Sequence, residues 1–258
     1  MTNLLPYTKI ISIMDKKNEL ICLDIGNTNT KCAVFTEYGE ESLFLSSKNS
    51  DLAQMLENLP KIKFLAYSCV NPLFEESVIS FCENNKITML KISDMLHLGF
   101  TSMYNSTAGA DRLANAAAAS EIFPEDNVII VDAGSAINIE VIESSVFKGG
   151  VILPGICTAF AALTEKTAML KKLKYSRSSS VIGQNSSENI SSGIFYGTIG
   201  AIKYILDEIS RESGKTYKVV LTGGDAELIS GSIDSYLTDR LFTLRGIKFL
   251  ADKNLINI

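Results

Sequence analysis

Two stretches of the chain share one construction. Leu20-Ile21-Cys22-Leu23 runs into Asp24-Ile25-Gly26-Asn27-Thr28-Asn29-Thr30-Lys31 and then Cys32-Ala33-Val34-Phe35. Val128-Ile129-Ile130-Val131 runs into Asp132-Ala133-Gly134-Ser135-Ala136 and then Ile137 to Ile142. Each is an apolar run of strand length, an Asp-x-Gly turn and a second β-run. Glycine permits the tight turn and exposes backbone amides there, while the aspartate stands at the strand end. A chain that does this twice is expected to form two halves of similar construction facing one another, and 258 residues suffice for both.

The rest of the chain alternates strands and helices. Phe64 to Val70 and Ile87 to Ile92 read as strands and Glu75 to Glu83 as a helix; Asp111 opens an alanine-rich helix to about Ile122, ended by Pro124. Gly149 to Gly155 is a glycine-bounded strand with a helix after it. Ile190 to Arg211 has apolar residues near helical spacing, and Val219-Val220-Leu221 leads to Thr222-Gly223-Gly224-Asp225 and another helix. The class is therefore α/β with mixed sheets. The division is expected near residues 118–127, giving an N-terminal domain 1–120 and a C-terminal domain 121–258. Ser176–Ser180 is expected to be a surface loop.

Composition narrows the partners. The net charge is −5 and no Lys/Arg stripe occurs, which argues against nucleic acid and anionic membrane. The longest apolar stretch, Gly149 to Leu163, is shorter than the ~20 residues that span a bilayer and contains Pro154. The N-terminus, with Pro6, Lys9 and Asp15-Lys16-Lys17, lacks the pattern of a signal peptide. Cys22, Cys32, Cys69, Cys82 and Cys157 are scattered without a CxxC, as expected of reduced, buried thiols in the cytoplasm. The single histidine, His97, excludes histidine-rich metal sites and reads as structural.

Asp24 to Lys31 packs a carboxylate, hydroxyls, amides and a lysine into one turn, the groups that phosphoryl transfer needs around phosphate and Mg²⁺. A polar β-turn with a capping Asp accounts for the same residues. The second turn repeats the arrangement, so the two together suggest a nucleotide clamped in a cleft, with Thr222 to Asp225 flanking the base or ribose. Neither GxxxxGK[ST] nor GxGxxG occurs, so no P-loop or Rossmann site is expected. In Gly109-Ala110-Asp111-Arg112, Asp111 is either a helix cap with Arg112 solvated, or a base for an attacking hydroxyl with Arg112 holding an anionic substrate.

These motifs, with Gly-Gly-x-Ile-x-Pro-Gly and Ile-Gly-x-Asn-Ser, occur between about residues 20 and 224 in the order found in the type III pantothenate kinases, which the chain resembles. The resemblance implies two actin-like (ribonuclease H-like) domains with mixed β-sheets flanked by helices, as in the acetate/sugar kinase–Hsp70–actin superfamily. It implies ATP with Mg²⁺ and pantothenate as ligands, phosphorylation to 4′-phosphopantothenate at the start of coenzyme A biosynthesis, and a monovalent cation, K⁺ or NH₄⁺. Asp24 to Lys31 matches the first phosphate segment, with Asp24 near Mg²⁺. Asp111 matches the general base, with Gly109, Ala110 and Arg112 in the pantothenate pocket, and Asp132 matches the monovalent-cation ligand. Ser135 stands for an ATP-binding Thr and Ser186 for a substrate-contacting Thr; Tyr104 matches a substrate contact. Ile137 and Asn138 replace two threonines, and Asn105 or Ser106 replaces a proline. Gly193, Gly197 and Gly200 let another backbone approach, either within the chain or, as the resemblance favours, in a homodimer. Two other functions fit the same residues: a kinase acting on another small hydroxylated substrate, and a nucleotide-binding regulatory homologue without turnover.

Overall fold

The Asp-x-Gly hairpins organise both sheets of the structure, a computed structural model that describes residues 20–35, 41–59, 62–104, 107–167, 173–177 and 180–255. The segment before Leu20, the pair Asn105-Ser106, and Ser178 and Ser179 of the expected surface loop lie outside the described residues. In the first sheet β1 (Leu20–Ile25) and β2 (Asn29–Phe35) pair antiparallel, Leu23 opposite Cys32 and Asp24 opposite Lys31. β3 (Glu41–Lys48) pairs antiparallel with β2. A 3-10 turn, Asn49–Asp51, and α1 (Leu52–Glu57) lead to β4 (Phe64–Cys69), parallel to β1. α2 (Pro72–Asn85) then leads to β5 (Thr88–Lys91), parallel to β4. The order is β3-β2-β1-β4-β5.

After β6 (Thr101–Ser102) and α3 (Ala110–Ile122), the pattern repeats. β7 (Asn127–Ala133), β8 (Ala136–Glu143) and β9 (Val146–Pro154) form an antiparallel meander. α4 (Ile156–Glu165) and α5 (Ser186–Ser213) precede β10 (Lys218–Thr222), parallel to β7. α6 (Ala226–Ser230), β11 (Leu237–Thr238), parallel to β10, and α7 (Phe242–Leu255) complete the order. The second sheet reads β11-β10-β7-β8-β9-β6, so without β6 it has the strand order and directions of the first.

Each sheet carries its own core. On one face of the first, Ile21, Leu23, Ile25, Cys32 and Val34 join Leu52, Met55 and Leu56 of α1 and Val78 and Cys82 of α2. In the second, Ile129, Val131, Ile137, Ile139 and Leu221 join Phe195, Ile199 and Ile202 of α5. Alternate residues thus turn to one face, as the two-residue period of a strand requires.

The chain forms two compact units. The first holds the described residues up to Phe100, those of α3 through Glu121, and those from Leu241 onward; the second holds Thr101–Tyr104 and Ile122–Arg240. This departs from an uninterrupted division at residues 120/121. Helix α7 packs on β1, β2 and β4, with Phe242, Leu244, Ile247 and Leu250 fully buried. Gly246 sets its seat: a Cβ there would overlap the carbonyl of Ala114 in α3, so the two helix backbones touch. The Thr101–Tyr104 strip joins the second unit through β6, which pairs with β9, and Tyr104, which stacks on Phe147 with centroids 5.8 Å apart.

The cysteines depart from a uniformly buried set. Cys22, Cys32 and Cys82 are buried, Cys69 is half-buried and Cys157 is exposed, all of them free. Burial pushes the Cys32 thiol up to about 12 and Cys82 up to about 11, so both stay protonated.

At the start of α2, Glu75 accepts from Tyr67 Oη at 3.0 Å and pairs with Lys91 Nζ at 2.6 Å. The Lys91 bond holds the Glu75 carboxyl below its ordinary value against an opposing push from burial. A depressed carboxyl stabilises the fold above its unfolded value, about 4.3, and loses that contribution as pH falls through its folded value. Glu75→Gln is therefore expected to lower the urea midpoint at pH 7 and to converge on the parent only as pH falls through the lowered folded value of Glu75. A gap independent of pH would show that the charge of Glu75 contributes nothing.

Candidate active site

The first turn hangs from a polar row. Ser46, Lys31, Asp24 and Ser68 are successive cross-strand neighbours on β3, β2, β1 and β4. Such neighbours share a sheet face, the one opposite the α1–α2 core. Asp24 is half-buried and its Oδ1 accepts from Ser68 Oγ at 2.6 Å, which fixes the carboxylate at the strand end. Beyond it, Asn27, Thr28 and Asn29 are exposed at the tip.

The carbonyls of this turn are all turned to protein donors. Gly26 O accepts from Asn49 Nδ2 at 2.8 Å, and Asn27 O from Asn71 Nδ2 at 3.3 Å. Thr28 O accepts from Asn49 N at 3.0 Å, and Asn29 O from Gly26 N at 3.1 Å. A turn whose acceptors are occupied in this way presents its donors to an anion.

Two residues of the segment stand apart from the exposed tip. Ile25 is fully buried in the core, and its carbonyl accepts from Val70 N at 3.0 Å. Thr30 is also fully buried, and its hydroxyl donates to Asn49 Oδ1 at 2.8 Å. Neither side chain faces solvent, because both alternate onto the core face of the hairpin. Asn49 and Ser68, which hold the turn, carry no motif.

Asp111 is the second residue of α3, half-buried, with Oδ1 accepting the Arg112 N–H at 2.9 Å. Gly109 makes room for it: a Cβ there would lie 2.6 Å from that oxygen. Ala110 is half-buried at the helix start. Arg112 is 6% exposed, so its guanidinium is enclosed by protein rather than solvated.

In the second unit the Gly134-Ser135 turn is braced from three sides. Ser135 is exposed, and its carbonyl accepts from Gly155 N at 3.1 Å and Thr158 Oγ1 at 2.7 Å. Asp225 N donates to Ala133 O at 2.9 Å. Gly223, at φ +96°, permits this approach, since a Cβ on it would lie 2.5 Å from Asp132 Oδ1. The Thr222–Asp225 strand end therefore supports the aspartate turn directly.

Asp132 lies between Asn138 and Thr222 in one cross-strand row. Thr222 Oγ1 is buried and has no hydrogen-bond partner among the described residues. Each residue of this row carries an oxygen, the donor type that hard cations take. Ile137 is buried in the second core, so it faces packing rather than a ligand, whereas Asn138 returns a polar group beside Asp132. A nucleotide-borne Mg²⁺ takes one or two carboxylates and completes its shell with water and phosphate. Asp24 meets that requirement, and no group of three or more His, Cys, Asp or Glu poised for a metal occurs among the described residues.

Ser186 opens α5, exposed, just after the cap Asn185, whose side chain accepts from Glu188 N at 3.0 Å. Tyr104 is half-buried against Phe147. Among the described residues no helix is long and apolar enough to cross a membrane.

The family model of type III pantothenate kinase matches residues 20–208. A type III pantothenate kinase of Finegoldia magna is 33% identical over 259 residues, covering 91% of this chain and 97% of that protein. One of Fervidobacterium nodosum is 28% identical, with the same coverage of both. A solved Campylobacter jejuni chain of the Baf family superposes with a TM-score of 0.63 at 26% identity, over 92% of this chain and all of that one. Component A of the Acidaminococcus fermentans (R)-2-hydroxyglutaryl-CoA dehydratase shares the fold, with a TM-score of 0.52 at 15% identity over 93% and 99% of the two chains. The paired sheets thus follow the actin-like plan. With the matched segment running from the first strand of the Asp24 hairpin well into α5, the chain belongs to the type III pantothenate kinase family.

Proposed function

We propose that the protein transfers the γ-phosphate of ATP to the terminal hydroxyl of pantothenate, giving 4′-phosphopantothenate at the entry to coenzyme A biosynthesis. The observation that carries this is the carboxylate of Asp111, held half-exposed at a helix start beside a glycine that leaves room for it. Asp111 accepts the proton of the attacking hydroxyl, a task that demands only a carboxylate within reach. Gly109, Ala110, the enclosed Arg112, Ser186 and Tyr104 line pantothenate. The Asp24–Lys31 turn and the Ser135 hydroxyl hold the phosphates, with Lys31 contributing positive charge.

Mg²⁺, when bound with the nucleotide near Asp24, neutralises charge on the β- and γ-oxygens. Asp132, with Asn138 and Thr222 beside it, holds K⁺ or NH₄⁺. The protein acts in the cytoplasm as a homodimer. Gly193, Gly197 and Gly200 lie exposed on α5 near the exposed Tyr196 and Tyr204, and a Cβ at any of the three would meet nothing of the described chain within 4 Å. That supports a partner copy over packing within the chain.

ADP release is expected to require pantothenate and to rise with K⁺ or NH₄⁺, and Asp132→Asn is expected to abolish the cation response. Turnover on another small hydroxylated acid or sugar, with none on pantothenate, would transfer the reading to that substrate. Equal rates with and without both cations would remove Asp132 from its role.

A further inference from the structure

Phosphate is repelled by carbonyl oxygens and attracted by donors, so an anion-binding turn works only if something keeps its carbonyls turned inward. In the Asp24–Lys31 turn a single residue outside the motif, through its side chain and its backbone N–H, does much of this. Asn49, in the 3-10 turn after β3, is 4% exposed. Its Nδ2 donates to Gly26 O at 2.8 Å, its backbone N–H donates to Thr28 O at 3.0 Å, and its Oδ1 accepts from Thr30 Oγ1 at 2.8 Å. It therefore ties both ends of the turn to one buried carboxamide and occupies two of the four carbonyls at the tip. The assignment of its oxygen and nitrogen is forced, because Gly26 O can only accept.

We infer that Asn49 is a positioning residue for the nucleotide: it turns the Gly26 and Thr28 carbonyls away from the triphosphate and spends the Thr30 hydroxyl on orienting the turn rather than on the ligand. This rests on the phosphate-binding role proposed for Asp24–Lys31. Asn49 also gives the hydroxyl of the fully buried Thr30 its partner. Asn49 touches neither substrate nor reacting atoms, so its effect belongs to nucleotide affinity and not to the proton transfer at Asp111.

The test measures Mg·AMP-PNP affinity by calorimetry, with kcat and both KM values, on the full-length chain. Asn49→Ala and Asn49→Asp are expected to weaken AMP-PNP about tenfold and to raise KM for ATP by a similar factor. Each removes the Nδ2 donor, and one hydrogen bond to a buried carbonyl accounts for an effect of that order. KM for pantothenate is expected to hold within twofold. Thr30→Val, which breaks only the Oδ1 bond and conserves volume, is expected to weaken AMP-PNP about threefold, and it keeps the test open if the Asn49 variants do not fold.

AMP-PNP affinity within twofold of the parent in every folded variant overturns the inference, even if melting temperatures fall, since a purely structural residue would do that alone. A parent protein that phosphorylates pantothenate while the variants bind nucleotide normally rejects this inference and keeps the function. A parent that binds AMP-PNP but phosphorylates no pantothenate, with weakened variants, rejects the substrate and keeps the role of Asn49.

Discussion

Asp111→Asn is expected to lower kcat by about 10²–10⁴, the usual contribution of a positioned general base, and to leave the thermal midpoint nearly unchanged. Asparagine has the shape of aspartate and keeps an oxygen to accept the Arg112 N–H, now accepted by Asp111 Oδ1 at 2.9 Å. The variant loses the favourable charge in the first helical turn, which contributes about 0.3–1 kcal/mol. Basicity is thus removed with the local fold kept. An ADP-release assay together with a melting curve measures both quantities. Turnover within threefold of the parent would remove Asp111 from the proton transfer and leave it a first-turn acidic residue of α3.

Gly246→Ala is expected to destabilise the protein by about 1–3 kcal/mol, the range for overpacking a close contact. Here two rules give opposite signs. By helix propensity alone, alanine inside α7 would stabilise by about 1 kcal/mol. The added methyl, however, overlaps the Ala114 carbonyl, and backbone has no rotamer by which to move aside. The collision is the larger effect. Because α3 also carries Asp111, turnover is expected to fall with stability. A midpoint at or above that of the parent would show that α7 does not bear on α3 at Gly246.

The hairpins around Asp24 and Asp132 are legible in the sequence because unbroken apolar runs flank an Asp-x-Gly turn, leaving little alternative to a buried strand, a tight reversal and a second strand. The long α5 is legible from its spacing, its cap Asn185 and the Gly214 that ends it in the left-handed region, at φ +66°. The burial of Thr30 is also implicit: it lies two and four residues before Cys32 and Val34, which face the core, and a strand repeats every two residues. Reading Asp24–Lys31 as one polar loop conceals that period.

Asn49 has no such signal. An asparagine near Ser and Asp reads as an ordinary turn residue, and its importance arises from a turn some twenty residues earlier in the chain. The edge strand β3 is mostly half-exposed and lacks a clean alternation. The return of α7 to the first unit is invisible locally for a similar reason. An amphipathic helix states that it needs an apolar surface, not which of two sheets supplies it.

That return has a consequence for how the protein is made. On the ribosome, domains ordinarily fold in the order in which they emerge. Here residues 122–240 leave the exit tunnel as a finished set of strands and helices, while the earlier sheet still waits for α7, which is translated after them. The unit translated second is therefore the first that can be completed, and a premature stop codon just after Arg240 would leave it whole while stripping the helix from β1, β2 and β4.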